Sequence, residues 1–196
     1  MAQSYIKRIL NAQVYDVARE TPLDAAPLLS ARLGNQAFLK REDLQPGFSF
    51  KCRGAYNKMV HLDEAARAGG VVAASAGNHA QGVALAASKL GIKATIVMPV
   101  TTPLIKVDAV KALGAKVVMH GDSFDEAAVR ARALTESEGF TFIHPFDDPD
   151  VIAGQGTVAV ELVRQAQKPL DYVFVCCGGG GLLAGMAAYL RYVWPQ

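Results

Sequence analysis

No stretch of the 196 residues reaches the ~18 consecutive uncharged apolar positions that a membrane-spanning helix requires. Charge of one sign is equally scarce. The net charge is +2, with no basic run and no interleaving of aromatics with lysine or arginine, which argues against nucleic acid and membrane surfaces as partners. Cysteine is limited to Cys52, Cys176 and Cys177. Three is an odd number, and no C-x-x-C pair is present, so a disulfide framework is excluded and reduced thiols packed as small buried apolar residues are expected. His61, His120 and His144 lack ligand-like spacing to Cys, Asp or Glu, so no metal is expected. Low-complexity segments and fixed-period repeats are also missing. Met1 to Leu10 carries Lys7 and Arg8 but no apolar stretch long enough for a signal peptide, which makes a cytoplasmic location the expectation.

What remains is a globular composition, 51% hydrophobic and 19% charged. Strand-like runs Val71 to Ala74, Ala94 to Met98, Lys116 to Met119, Phe140 to Ile143 and Tyr172 to Cys176 alternate with helix-like runs. This βαβ order predicts an α/β fold with a parallel sheet. Helix ends are marked by Gly91 and Gly114 in C-terminal positions, by Pro103 in a first turn, and by a capping box at Ser123-Phe124-Asp125-Glu126. A less regular stretch, Thr21 to Asp43, precedes the alternation.

Three segments carry chemistry. Lys51 lies in Ser49-Phe50-Lys51-Cys52-Arg53-Gly54. Gly178-Gly179-Gly180-Gly181-Leu182 follows a strand-like run and opens a helix-like one, where bare backbone N–H groups near a positive helix end suit a phosphate. A lysine amine together with a phosphate cradle suggests pyridoxal 5′-phosphate, which is held through its aldehyde and its phosphate at separate points. The third segment is Ser75-Ala76-Gly77-Asn78-His79-Ala80-Gln81-Gly82. Its small residues and helix N-terminus suit a carboxylate, and Asn78 offers an amide to a hydroxyl or phenolate. Two plainer readings stand beside these: a tight βα turn with an Asn cap, and a G-x-G-x-x-A dinucleotide fingerprint over Gly179 to Ala184, whose confirming acidic residue would fall beyond Gln196. The dinucleotide reading leaves Lys51 and the Asn78 turn unexplained.

Taken together, Lys40-Arg41-Glu42-Asp43 with Ser49-Phe50-Lys51, then Ala74 to Gly82, then Gly178 to Leu182, resemble the threonine dehydratases (threonine ammonia-lyases), pyridoxal-phosphate enzymes of the tryptophan-synthase-β-like fold type II. Val97-Met98-Pro99, Lys106 to Val110, and Phe146-Asp147-Asp148-Pro149 to Gly154-Gln155-Gly156-Thr157 agree with it. Val14 to Ala18 before Thr21-Pro22-Leu23 resembles the biosynthetic form, which serves isoleucine synthesis. The resemblance implies that Lys51 carries the cofactor and takes the Cα proton, that Phe50 lies against its ring, and that Asn78 bonds its 3′ oxygen. Gly178, Gly179, Gly180, Gly181 and Leu182 would bind its phosphate, while Ser75, Asn78 and His79 would surround the substrate carboxylate. L-Threonine would give 2-oxobutanoate and ammonia, and L-serine would give pyruvate. A homo-oligomer is implied for the full-length form. In serine racemases of this class the position of Ala76 resembles a second serine acting as base; its absence favours elimination.

The same resemblance implies two lobes with the cofactor between them. Residues 48–153 would form the smaller α/β lobe, and residues 1–47 with 154–196 an incomplete larger one. The run Leu182 to Trp194 ends at Pro195-Gln196 with no further strand, so the chain reads as the N-terminal part of a dehydratase. A fragment that binds the cofactor without turning over substrate is the open alternative.

Overall fold

The structure is a computed structural model that describes residues 2–195. In chain order it comprises α1 (Ala2–Leu10), β1 (Leu23–Ala25), α2 (Pro27–Leu33), β2 (Phe38–Lys40), a 3₁₀ turn (Glu42–Leu44), α3 (Lys51–Val60), α4 (Glu64–Gly69) and β3 (Val71–Ala74). Then follow α5 (Asn78–Leu90), β4 (Ala94–Met98), α6 (Leu104–Ala112), β5 (Lys116–Met119), α7 (Phe124–Glu138), β6 (Thr141–Phe142), α8 (Pro149–Gln165) and α9 (Gly181–Val193). Met1 and Gln196, the ends of the expected larger lobe, lie outside the described residues.

Four strands form a wholly parallel sheet in the order β5-β4-β3-β6. Successive side chains of a strand point to opposite faces, and both faces here are covered. Val71, Ala73, Ile96 and Met98 pack with α5, α6 and α3 through Val83, Ala84, Val107, Val110 and Met59. Val72, Ala74 and Val97 face the other way, onto Ala127, Ala131 and Leu134 of α7. That double burial is why β3 and β4 read as continuous apolar runs. The edge strand β5 is exposed at Lys116 and Met119.

Local signals hold where they are backbone chemistry. Gly91 and Gly114 adopt the left-handed conformation at φ 67° and 87°, and Ser123 with Glu126 forms the reciprocal capping box that starts α7. Pro103 is the residue ahead of the first turn of α6. Two expectations need correction. Tyr172 to Cys176 is not a strand: Val173 and Val175 pack against the α8–α9 cluster, Tyr172 and Phe174 face solvent, and no strand lies beside them among the described residues to complete a ladder. The irregular Thr21–Asp43 stretch contains an antiparallel pair, β1 with β2, in the register Leu23 to Lys40.

Helix α8 packs against α3, α1 and α9 pack on α8, and α8 runs unbroken across the expected boundary between Ala153 and Gly154. The α3–α8 crossing is tight because Gly54 and Gly154 face each other. A methyl group at Gly154 would stand 2.7 Å from the Arg53 carbonyl oxygen and from Gly54 Cα. Next to this crossing lies a buried ionic cluster. The Arg53 guanidinium, with no exposed surface, donates to both oxygens of Glu161 (2.7 and 3.0 Å) and both oxygens of Glu42 (2.8 Å each). Lys40 Nζ reaches Glu161 at 2.6 Å, and the Tyr15 hydroxyl donates to the same carboxylate at 2.9 Å. The cluster ties α3 to α8 and to the N-terminal segment, and so fixes the helix on which Lys51 stands.

Candidate active site

The sheet reverses its direction of growth at β3: the chain moves out to β4 and β5, then returns to place β6 on the other side. At such a switch point the loops leaving the two strands diverge and open a crevice at their carboxyl ends. Here those loops are Ser75 to Gly77 after β3 and Ile143 to Asp148 after β6.

Lys51 is the first residue of α3 and enters the crevice half-buried. Its Nζ donates to the Pro145 carbonyl oxygen at 2.6 Å and lies 5.5 Å from the centroid of the Phe50 ring. Burial lowers the pKa of this amine, and the nearby Cys176 opposes the shift. No carboxylate among the described residues bonds it, so a larger share of the amine is uncharged than on an exposed lysine. A methyl group at Gly82 would come 3.0 Å from the Lys51 carbonyl group, which places the start of α5 alongside α3.

Asn78 opens α5, exposed, with no hydrogen bond to its amide among the described residues. Ser75 Oγ accepts from the Gly77 N–H at 3.2 Å and shapes the turn. The His79 side chain is turned away from the crevice. Its side chain is 4% exposed, one ring nitrogen meets the Ile143 carbonyl at 2.9 Å, and burial pushes its pKa down to about 4. The ring is therefore directed into the protein, and what His79 offers the crevice is the backbone N–H of a helix first turn.

Gly178 to Leu182 lies on the far side of Phe146. Gly179 and Gly181 back onto the Phe146 ring and backbone, where any side chain would collide, whereas Gly178 and Gly180 face open space. Gly180 has φ 88° and caps α9 without a side chain. The N–H groups of Gly178, Gly179 and Gly180 have no partner among the described residues, and those of Gly181 and Leu182 belong to the unpaired first turn of a helix. Leu182 turns its side chain into the cluster with Val158, Leu162 and Met186. The donor set, several free amides around open space and one partly desolvated amine, fits a phosphate-bearing aldehyde.

Two features escaped sequence reading. The Pro145 carbonyl and the Phe146 ring join the lysine to the glycine turn, and their position just past a strand end was the available signal. Cys176 and Cys177 are exposed rather than buried, because the segment carrying them is not sandwiched in the sheet; Cys52 alone is buried. The dinucleotide reading requires a strand directly before the glycines, and none forms there.

Similarity to known proteins agrees with this geometry. Residues 14–196 match the model of the family described as pyridoxal-phosphate dependent enzyme. The biosynthetic, chloroplastic threonine dehydratase of Arabidopsis thaliana is 61% identical over 195 residues, covering 100% of this chain and 33% of that protein. The biosynthetic L-threonine dehydratase IlvA of Burkholderia multivorans is 58% identical over 198 residues, covering 100% of this chain and 39% of that protein. The processed form of threonine deaminase isoform 2 from Solanum lycopersicum superposes with a TM-score of 0.96 at 52% identity, over 99% of this chain and 53% of that one. The chain thus spans between 33% and 39% of the length of these two curated relatives. With the matched family model running from Val14 to the C-terminus over the lysine, the α5 turn and the glycine turn, this chain belongs to the pyridoxal-phosphate dependent enzymes.

Proposed function

We propose that this chain carries the cofactor lysine, the phosphate cradle and the substrate-carboxylate turn of a threonine ammonia-lyase, which converts L-threonine to 2-oxobutanoate and ammonia and L-serine to pyruvate. The observation that carries the reading is the convergence of Lys51, the free N-terminus of α5 and the open glycine turn around the loop Ile143 to Phe146. The threonine dehydratase relatives support the choice of substrate.

Bound pyridoxal phosphate supplies an electron sink that makes the substrate Cα proton acidic. Lys51 holds the cofactor and, when its amine is free, takes that proton; its lowered pKa suits a base working near neutral pH. The N–H groups of the glycine turn bind the phosphate and orient the ring, with Phe50 beside it. Asn78 meets the ring oxygen, while the Ser75 hydroxyl, the Asn78 amide and the backbone N–H groups of Asn78 and His79 hold the substrate carboxylate. Ala76 places no hydroxyl on the face of Cα opposite Lys51, so a proton removed on one face is not returned on the other and elimination prevails.

This reading includes the two-lobed arrangement, with residues 48–153 as the smaller lobe, a homo-oligomer as the full-length form, and a cytoplasmic setting in the isoleucine pathway. No helix among the described residues is long and apolar enough to cross a membrane. The test is 2-oxobutanoate release from L-threonine by the protein supplied with pyridoxal phosphate. Release that disappears in Lys51→Ala supports the proposal. Turnover retained in that variant refutes the role of Lys51, and cofactor held on Lys51 with no release from L-threonine or L-serine refutes the reaction.

A further inference from the structure

His79 is buried, uncharged in its surroundings and turned away from the open crevice, yet it is not packed as an apolar residue would be. Its Nε2 lies 2.9 Å from the Ile143 carbonyl oxygen. A carbonyl only accepts, so Nε2 carries the proton and Nδ1 is left as a bare acceptor. That Nδ1 is buried without a partner among the described residues. A leucine or phenylalanine would fill the space without an orphaned nitrogen, so packing alone does not account for an imidazole here.

The bond to Ile143 reaches the site through a stiff segment. Pro145 has a ring-fixed φ and biases His144 toward extended backbone. His144 Nδ1 accepts from the N–H groups of Phe146 (3.3 Å) and Asp147 (2.7 Å), closing the turn that follows. The His144 ring stands edge-on to Phe146 with centroids 4.7 Å apart. A displacement of the Ile143 carbonyl is therefore carried to the Pro145 carbonyl, where Lys51 Nζ bonds at 2.6 Å, and to Phe146, against which Gly179 and Gly181 rest.

We infer that His79 is a positioning residue for the cofactor site: by holding the Ile143 carbonyl it sets where Lys51 meets Pro145 and where Phe146 backs the glycine turn. The inference rests on the reading of Lys51 as the attachment point. It gives the start of α5 a second task, since the helix whose free N–H groups face the crevice also braces the loop opposite.

The experiment compares the wild type, His79→Gln and His79→Phe at a fixed, subsaturating concentration of pyridoxal phosphate, with borohydride reduction and peptide mapping of the pyridoxyl group. Glutamine can place an N–H near the position of Nε2; phenylalanine cannot. The expected result is labelling of Lys51 in the wild type and in His79→Gln, with a loss of about tenfold in His79→Phe, the scale that follows when reacting groups shift by a fraction of an ångström. Equal labelling in all three proteins, or an equal loss in both variants, overturns the inference while leaving Lys51 in place. Wild-type label on another lysine refutes the Lys51 reading itself. Nitrogen-15 NMR of the wild-type imidazole serves even where His79→Phe does not fold. A ring neutral and Nε2-protonated from pH 5 to 8 is expected; a proton on Nδ1, or titration near the ordinary value, overturns the brace.

Discussion

Glu161→Gln changes one oxygen to an amide nitrogen and leaves the heavy-atom count unchanged, yet it should be among the costliest single substitutions in this chain. The Glu161 carboxylate accepts from Arg53 twice, from Lys40 Nζ, from the Tyr15 hydroxyl and, at 3.4 Å, from the Thr21 N–H. In the glutamine variant an NH₂ group would face donors on whichever side it took. Arg53, fully buried, would keep only Glu42 as a counter-charge. Removing one member of a buried ion pair costs roughly 3–5 kcal/mol, and for a chain of this size each kcal/mol moves the melting temperature by roughly 2–4 °C. A fall of about 6–20 °C is therefore expected by calorimetry, with a matching shift of the urea midpoint at unchanged slope. Burial by itself would raise the Glu161 pKa, but Arg53 and then Lys40 hold it below its ordinary 4.5. The carboxylate thus contributes stability above that value and loses it as pH falls through the folded-state pKa. Arg53→Met combined with Glu161→Leu should cost less than the two single changes added together, because neither of the two fully buried charges is then left without the other. A Glu161→Gln loss below about 1 kcal/mol would refute the reasoning, since it would mean that water solvates the cluster.

His79 gives a second pH effect. Its folded-state pKa of about 4 lies below the ordinary 6.5, so its contribution is complete above 6.5 and lost as pH falls toward 4. That difference is worth about 3 kcal/mol, and it should appear as wild-type destabilisation exceeding that of His79→Leu in urea titrations at pH 7 and pH 4. Parallel losses in the two proteins would contradict the burial. Gly154→Ala forces a methyl group against the backbone of Arg53 and Gly54; about 1–3 kcal/mol of stability should be lost, together with pyridoxyl labelling of Lys51, and a thermally neutral variant would show that the helices separate freely. Ala76→Ser should introduce D-serine formation from L-serine while elimination continues, measured by chiral chromatography, and its absence would count against the hydroxyl as the distinguishing group.

The parallel sheet was legible because β3, β4 and β5 are apolar runs whose ends are marked by turn residues, and the capping box at Ser123 is a signal contained within four residues. Tyr172 to Cys176 has the right two-residue alternation, yet a strand exists only when a neighbour accepts its hydrogen bonds, and pattern carries no information about neighbours. The three-residue strands β1 and β2 are too short to leave a periodicity. In the site, Lys51 and the glycines were visible as residue types, whereas the Pro145 partner of Lys51 is a backbone carbonyl, which no side chain announces. The family resemblance implied a place for His79 at the substrate carboxylate; helix geometry turns its ring into the core. Arg53 and Glu161 stand 108 residues apart, and no local sequence pattern marks the pairing that the α3–α8 crossing brings about.

The most direct measurement is a crystal structure of the protein grown with pyridoxal phosphate. The account predicts density continuous from Lys51 Nζ to the cofactor, with the phosphate within hydrogen-bond distance of the N–H groups of Gly178 to Leu182 and the ring between Phe50 and Asn78. Cofactor bound to another lysine, or a phosphate remote from the glycine turn, would contradict it.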